Sequence, residues 1–267
     1  MNETVSADPI RTAVRAHYAA RAEQADSCCG DGGDCCSPEV TFYSDHETIA
    51  LPDDVASFSL GCGNAVGGAG LMPGETVLDL GSGGGLECFI AARAVGESGQ
   101  VIGVDMTPEM LTRARKAADR MGLANVEFRE GLIEALPVDS AAVDVIISNC
   151  VINLSPDKPA VLSEVHRVLK PNGRLAISDV VTRTVVPEEF RQDLSLWSGC
   201  ASGALSVADW EQGLLELGFE NVQIAARADD DSWSEIIPET ELFSALITAR
   251  KRFSDSAIRR FGDSLNR

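Results

Sequence analysis

Eight cysteines are the residues of this 267-residue chain with the most distinctive chemistry. Four of them are dispersed along the chain: Cys88 and the three that we call the dispersed thiols, Cys62 in "LGCGN", Cys150 in "SNCVIN" and Cys200 in "GCASGA". A free cysteine is commonly a small buried hydrophobic residue, and that interpretation suits Cys88, which lies beside Phe89 in a helical pattern. Loops rich in glycine and serine are a poor setting for core packing, so Cys62 and Cys200 favour a chemical role.

The chemistry that such thiols favour is the binding of a soft ion. Cys62, Cys150 and Cys200, as three convergent thiolates, would match a trivalent arsenic atom, which forms three As–S bonds and keeps one lone pair. That lone pair is itself a nucleophile, so no general base is required. The neutral neighbours Ser148 and Asn149 agree with this. A lowered thiol pKa would assist binding through thiolates.

A second set of cysteines is clustered near the N-terminus, in "SCCGDGGDCC": Cys28, Cys29, Cys35 and Cys36. Their spacing is not a standard C-x₂-C zinc framework. Two interpretations stay open. One is a small zinc or metal-scavenging site, and the other is a mobile loop that delivers arsenic to the dispersed thiols.

The elements that must position the dispersed thiols alternate between strands and helices. A helical pattern over 9–24 comes first, and apolar runs then predict strands at 76–80, 100–105, 125–130, 143–148 and 174–181, with helical patterns between them. Such alternation is typical of a parallel, doubly wound sheet. Two later strands, "FENVQIAAR" and "ELFSALITAR", would pair as a hairpin-like edge and complete seven strands. Cys150 follows the fourth strand, at the edge where open α/β sheets bind ligands.

The loop after the first strand, "VLDLGSGGG", is a candidate ligand-binding motif. It fits Asp-x-Gly-x-Gly-x-Gly, with Asp79, Gly81, Gly83 and Gly85. The dinucleotide pattern G-x-G-x-x-G fails because Leu86 occupies the position of its third glycine. Glycines let the backbone approach a ligand closely, and the helix that follows offers free N–H groups to an anion.

Two later segments indicate which kind of ligand this loop would hold. Asp105 ends the second strand, 20 residues after Gly85, where a carboxylate can accept both hydroxyls of a ribose. Apolar residues after the third strand, among them Ile133, could sandwich an adenine. Together they predict a nucleoside-containing cofactor.

Charge and hydropathy exclude several classes of partner. With 41 acidic and 22 basic residues the formal net charge is −19, which disfavours nucleic acid and anionic membrane surfaces. We find no apolar run near the roughly 20 residues of a transmembrane helix. The N-terminal segment lacks the apolar core of a signal peptide. We therefore expect a soluble, cytoplasmic protein.

These motifs resemble two nested families. The glycine loop, Asp105 and the predicted sheet are similar to the class I S-adenosylmethionine-dependent methyltransferases over about residues 73–181. Six segments resemble the arsenite methyltransferases over about residues 42–220: "LGCGN", "DLGSGGG", "GVDMTPEML", "SNCVINLSPDK", "RVLKPNGRLAISD" and "GCASGAL".

The resemblance implies a cofactor site for S-adenosylmethionine. The glycine loop with Asp79 would hold the methionine part of the cofactor, and Asp105 would hold its ribose. Met106 and Ile133 would flank the adenine, and Asn149 would contribute contacts at the mouth of the site.

The resemblance also implies a substrate site made of sulfur. Cys150 and Cys200 would hold arsenic, and Cys62 would supply the third sulfur or form a transient disulfide during turnover. A further N-terminal thiol would assist, with Cys35 and Cys36 nearest the core in sequence. Thioredoxin or glutathione would restore the reduced state.

We expect an α/β protein with a doubly wound, seven-stranded, mostly parallel sheet and appended segments at both ends. Residues 1–72 would form an N-terminal helix and Cys-rich loop region, and 73–182 the cofactor-binding, Rossmann-like core. Residues 183–250 would form the substrate-binding segment and final strands, and 251–267 a tail. The expected activity is methylation of arsenite and methylarsenite for detoxification. The rivals are a methyltransferase of a small organic acceptor and a non-catalytic metalloid-binding protein.

Overall fold

A computed structural model describes residues 7–27, 42–49, 51–227, 236–237 and 240–253. The four clustered cysteines, Cys28, Cys29, Cys35 and Cys36, lie outside the described residues, as does the tail from residue 254. The helices are α1 Ala7–Ser27, α2 Asp45–Thr48, α3 Asp53–Ala56, α4 Ala65–Ala69, α5 Leu86–Val95, α6 Pro108–Met121, α7 Lys158–Val168, α8 Glu188–Arg191, α9 Leu194–Ser198 and α10 Val207–Glu216. The strands are β1 Thr76–Leu80, β2 Gln100–Asp105, β3 Val126–Glu130, β4 Val143–Asn149, β5 Leu169–Thr182, β6 Leu205–Ser206, β7 Phe219–Ala226 and β8 Leu242–Lys251. A 3-10 turn, Ile152–Leu154, follows β4.

The strands form one mostly parallel sheet in the order β3-β2-β1-β4-β5-β8-β7. β1 to β5 run parallel, whereas β8 is antiparallel to both β5 and β7. The predicted α/β class, the seven strands and the antiparallel pairing of the last two are therefore confirmed. A short eighth strand, β6, pairs beside β5 and was not predicted.

Local signals explain where several helices begin and end. Pro108 occupies the first turn of α6, and Gly122 ends that helix in the left-handed region with φ 65°. The Asp157 side chain accepts a hydrogen bond from the Ala160 N–H at 3.0 Å and caps α7. The helix predicted from Gly84 begins at Leu86 instead, because Gly85 has a φ of 91°.

Apolar side chains cover both faces of the sheet and a third region at its carboxyl edge. One cluster includes Leu78 and Ile146, and the opposite face buries Val77 and Ile147. This alternation along each strand follows from the period of two in β structure. The third cluster combines residues of α1 and the α8–α9 segment with all three dispersed cysteines.

Helix α1 lies across this carboxyl edge. It contacts α6, α9 and the 3-10 turn after β4. None of the described helices combines the length and the apolar character that a membrane span requires.

Candidate functional site

One cavity opens at the carboxyl ends of β1, β2 and β4. Its empty volume, counted out to the solvent, is about 1020 Å³. Its walls include seven of the eight residues predicted to bind the cofactor: Asp79, Gly81, Gly83, Asp105, Met106, Ile133 and Asn149. The structure therefore brings these residues together around one space.

Gly85, the eighth predicted residue, does not line this cavity. A Cβ built at Gly85 would meet the ring of Phe89 at 2.6 Å and that of Phe128 at 2.9 Å. Glycine at this position thus lets the loop turn over two aromatic rings, and contact of Gly85 with the cofactor stays a prediction.

The conformation of the glycine loop depends on glycine at position 81 and on hydrogen bonds to Asp105. Gly81 has a φ of 69°, and a Cβ there would collide with the Val151 side chain. Asp105 accepts hydrogen bonds from the Gly83 N–H at 2.9 Å and the Thr107 N–H at 2.8 Å. Burial raises the pKa of Asp105, and these N–H donors oppose that rise.

A buried carboxyl pair, Asp79 and Glu87, forms one wall of the same cavity. Glu87 Oε1 accepts hydrogen bonds from the Tyr43 hydroxyl and the Ala65 N–H, each at 3.0 Å. Glu87 Oε2 and Ser82 Oγ are buried and have no hydrogen-bond partner among the described residues. Because a buried polar atom without a partner is costly, this wall suits a ligand that carries polar or positively charged groups.

The protonation of this pair follows from its surroundings. Burial raises the pKa of Glu87 to about 7, although the groups that donate hydrogen bonds to it act to lower that pKa. Burial, and then the neighbouring Glu87, raise the pKa of Asp79. Sequence reasoning missed Glu87, although a lone acid in the apolar helix "LECFIAARAV" is a signal that could have found it.

The raised pKa of Glu87 predicts a pH dependence of stability. Its unfolded pKa is near 4.5, so the stability it confers is fully present below about pH 4.5 and is lost as pH rises to about 7. That difference corresponds to about 3 kcal/mol of unfolding free energy. We expect Glu87→Gln, which stays neutral, to flatten the profile in urea denaturation between these pH values. Glu109→Gln, at an exposed position of α6, should leave the slope unchanged, and equal slopes for wild type and Glu87→Gln would contradict the assignment.

The three dispersed cysteines meet in a second cavity next to the first. Its empty volume is about 470 Å³. Cys62 and Cys150 are joined by a disulfide with their Cα atoms 6.0 Å apart. Cys200 is a free thiol whose Sγ donates to the Cys150 carbonyl oxygen at 3.1 Å. The two cavities share Tyr18, Leu60, Gly61 and Cys150.

The loops that carry these thiols are more tightly packed than their glycine and serine content suggests. Only 6% of Cys62 and 4% each of Cys150 and Cys200 are exposed. The prediction that such loops are a poor setting for packing is therefore wrong, because α1 and the α8–α9 segment cover them. Cys88 is fully buried, as predicted for a packing residue.

Cys150 and Cys200 both have left-handed backbone conformations, with φ of 54° and 67°. Residues other than glycine adopt this region rarely and at an energetic cost, and such positions cluster at functional sites. The Cys150 N–H donates to the Ser178 carbonyl at 2.8 Å, and the Cys200 N–H to the Trp197 carbonyl at 3.0 Å. These bonds hold both strained residues in place.

A carboxylate also lies at the thiols, contrary to the inference that Cys150 has only neutral neighbours. An oxygen of Asp179 lies within 4.8 Å of the sulfurs of Cys62 and Cys150. Asp179 is distant in sequence but near in space, because β5 pairs with β4 and aligns Ser178 with Asn149. The single acid in the apolar run "LAISDVV" is the signal that could have found it.

Burial shifts both titrating groups beside the disulfide. It raises the pKa of Asp179 to about 7. Burial, and then the nearby Asp179, raise the pKa of the Cys200 thiol. This direction is opposite to the lowered thiol pKa that would assist binding through thiolates.

Asn149 connects the two cavities. Its Oδ1 accepts a hydrogen bond from the Cys62 N–H at 2.9 Å, and its Nδ2 donates to the Gly63 carbonyl at 2.7 Å and to Glu87 at 3.2 Å. A Cβ at Gly61 would collide with this amide, so the loop needs glycine there. Asn149 lines the first cavity as predicted, but its hydrogen bonds position the Cys62 loop.

We expect Asn149→Ala to destabilise the chain by about 2 kcal/mol, because it leaves the Cys62 N–H and the Gly63 carbonyl without their partner. Urea denaturation would measure this loss. The same variant should form the Cys62–Cys150 disulfide more slowly than wild type in a thiol-trapping assay. Unchanged stability together with an unchanged rate of disulfide formation would contradict the positioning role.

Comparisons with known proteins agree with this arrangement. A methyltransferase domain model matches residues 71–233. The chain is 44% identical to the arsenite methyltransferase of Halobacterium salinarum over 279 aligned residues, which cover 95% of this chain and 71% of that protein. The mouse arsenite methyltransferase is 40% identical over 67% of this chain, and the match spans only 50% of that relative. The crystal structure of an arsenic(III) S-adenosylmethionine methyltransferase from Chlamydomonas reinhardtii superimposes with a TM-score of 0.66 at 33% identity, covering 82% of this chain and 75% of that one.

Proposed function

This chain belongs to the arsenite methyltransferase family, and we propose that it transfers methyl groups from S-adenosylmethionine to trivalent arsenic in arsenic detoxification. Arsenite and methylarsenite are the proposed substrates. The observation that carries the proposal is the position of three buried sulfurs, those of Cys62, Cys150 and Cys200, in a cavity that shares walls with the larger one.

In the proposed substrate chemistry, the three thiols bind arsenic directly. Three thiols and arsenous acid give three As–S bonds and three water molecules, so each thiol proton leaves with one arsenic hydroxyl. The arsenic lone pair is then the nucleophile, and no base has to remove a proton before methyl transfer. The chain contributes proximity and orientation, since rigid loops hold the sulfurs at the edge of the larger cavity.

The residues around the larger cavity fit the proposed cofactor. When bound, S-adenosylmethionine supplies an electrophilic methyl group on a positively charged sulfur. The unpartnered Glu87 Oε2 beside Asp79 suits the positive charge of its methionine part, and the glycine loop leaves room for close backbone contact. Asp105 would accept the ribose hydroxyls, with Met106 and Ile133 against the adenine.

The disulfide between Cys62 and Cys150 gives the proposed reductant a role. Two electrons and two protons are needed to return these residues to thiols before arsenic can bind. We propose thioredoxin or glutathione as their source. The assisting role proposed for Cys35 or Cys36 concerns residues outside the described part of the chain.

The proposal is tested by mass spectrometry of the arsenic species formed after incubation with arsenite, S-adenosylmethionine and glutathione. We expect methylated arsenic in the complete mixture and none without the cofactor. The absence of any methylated arsenic would overturn the proposal. An organic acceptor as the true substrate would instead leave turnover of that acceptor intact in Cys200→Ser, and a metalloid-binding protein without activity would bind arsenite but form no product.

A further inference from the structure

We infer that the reduced thiol pocket is also a binding site for a divalent thiophilic cation, zinc or cadmium, with the Asp179 carboxylate as a ligand. Binding of the cation would exclude trivalent arsenic from the same sulfurs. The inference rests on the proposed function for this competition alone. The site itself consists of the side chains of Cys62, Cys150, Cys200 and Asp179.

The geometry of the donor atoms carries the inference. The sulfurs of Cys62 and Cys150 and an oxygen of Asp179 all lie within 4.8 Å of one another, and all three residues are buried. In a tetrahedral zinc site, Zn–S bonds of about 2.3 Å and Zn–O bonds of about 2.0–2.2 Å place sulfur and oxygen donors about 3.5–3.8 Å apart. The three residues are therefore within reach of one ion once the disulfide is opened.

Cys200 can supply a fourth donor. Its Sγ lies 3.1 Å from the Cys150 carbonyl oxygen, and it lines the same cavity as Cys62 and Cys150. It lies outside the group of donor atoms within 4.8 Å of one another, so its side chain has to move toward the other two sulfurs to bind the same ion. Three thiolates and one carboxylate are a coordination set that suits zinc and, through its sulfurs, the softer cadmium.

Asp179 has coordination capacity left over. Its Oδ1 accepts from the Val180 N–H at 2.9 Å, and its Oδ2 from the Asn153 N–H at 3.3 Å. Ile152 supplies a third backbone donor. Because the two carboxylate oxygens have about four acceptor positions between them, at least one remains free for a cation. These backbone donors also fix the orientation of the carboxylate, as outer-shell partners of metal ligands commonly do.

Lys158 offsets part of the charge of such a site. Three thiolates and one carboxylate around a divalent cation leave two negative charges in a buried place. The Lys158 ammonium interacts favourably with both Asp179 and Cys200, and it is held by the Asn153 and Ser155 carbonyls at 3.3 and 2.9 Å.

Arsenic and a divalent cation make different use of Asp179. Trivalent arsenic takes three sulfurs and keeps a lone pair in the fourth direction. A tetrahedral cation needs a fourth donor there. The Asp179 carboxylate should therefore matter for cadmium and hardly at all for arsenic, and this difference is what the experiment measures.

The test uses the full chain reduced with a phosphine, which becomes phosphine oxide as the disulfide takes up two electrons and two protons. Cadmium ion is titrated against the ultraviolet thiolate-to-cadmium absorption, with one proton released for each Cd–S bond formed. Arsenite binding is titrated separately, and the variants are Asp179→Asn and, as a matched control, Asp209→Asn at an exposed position of α10.

We expect wild type and Asp209→Asn to bind one cadmium ion with a signal from three sulfurs. Asp179→Asn should bind cadmium at least about tenfold more weakly with arsenite affinity unchanged. Equal cadmium affinity in Asp179→Asn, or a parallel loss for both ligands, would overturn the inference. X-ray absorption of the wild-type zinc complex tests it without a variant, since a shell of sulfur alone would also overturn it. Failure to form methylated arsenic would count against the proposed function and leave these titrations valid.

Discussion

Cys150→Ser is expected to lower the rate of arsenite methylation at least about 1000-fold, which corresponds to about 4 kcal/mol of activation free energy. The hydroxyl oxygen of serine is a hard donor and a poor substitute for a sulfur bond to arsenic. Serine is close to cysteine in size, so the strained turn with φ of 54° should persist. The initial rate of methylarsenic formation measures the effect in reduced protein.

Cys88→Ser is the matched control for this prediction. Cys88 is a buried thiol that donates to Asp79 at 3.2 Å, and serine can still donate there. We expect its rate to stay within about threefold of wild type, less than about 1 kcal/mol. If Cys150→Ser methylated arsenite at the wild-type rate, a bond between arsenic and the sulfur of Cys150 would not be part of the mechanism.

Asp105→Asn is expected to weaken the binding of S-adenosylmethionine by about 100-fold, or about 2.8 kcal/mol. An amide has one acceptor oxygen instead of two, so it cannot serve both ribose hydroxyls. It would also place an N–H₂ group against the Gly83 N–H or the Thr107 N–H, both of which now donate to the carboxylate. Calorimetric titration of the reduced chain with the cofactor measures the loss.

Glu130→Gln provides the comparison for Asp105→Asn. Glu130 ends β3 beside Asp105 in the sheet register, and its side chain is exposed. Its affinity for the cofactor should equal that of wild type. If Asp105→Asn kept full affinity while its circular dichroism remained native, the ribose role of Asp105 would be refuted.

Local patterns were sufficient to predict much of the fold and of the cofactor cavity. Apolar runs separated by helical periods specify parallel strands, and the order of the sheet then brings the ends of β1, β2 and β4 together. Asp79 and Asp105 could be predicted because each follows from its position at a strand end. The antiparallel β8 was predicted from its apolar run alone.

Features set by tertiary contacts could not be predicted in this way. Asp179 stands out as the single acid in an apolar run, but the pairing of β5 with β4 is what brings it to the thiols. The burial of Cys62 depends on elements far away in the sequence that cover its loop. Gly85 resembled its neighbours in the motif, yet it lies against two aromatic rings from α5 and β3 and does not line the cavity.

Helix α1 has a further consequence, because it forms a wall of both cavities. Val14 and Tyr18 line the larger cavity, while Tyr18 and Arg21 line the thiol cavity. A ligand that moves α1 in one cavity therefore changes the free energy of binding in the other. Thermodynamic reciprocity requires the two effects to be equal. We therefore expect the binding of cofactor and the binding of arsenic to be coupled through α1, in addition to the residues Gly61 and Cys150 that both cavities share.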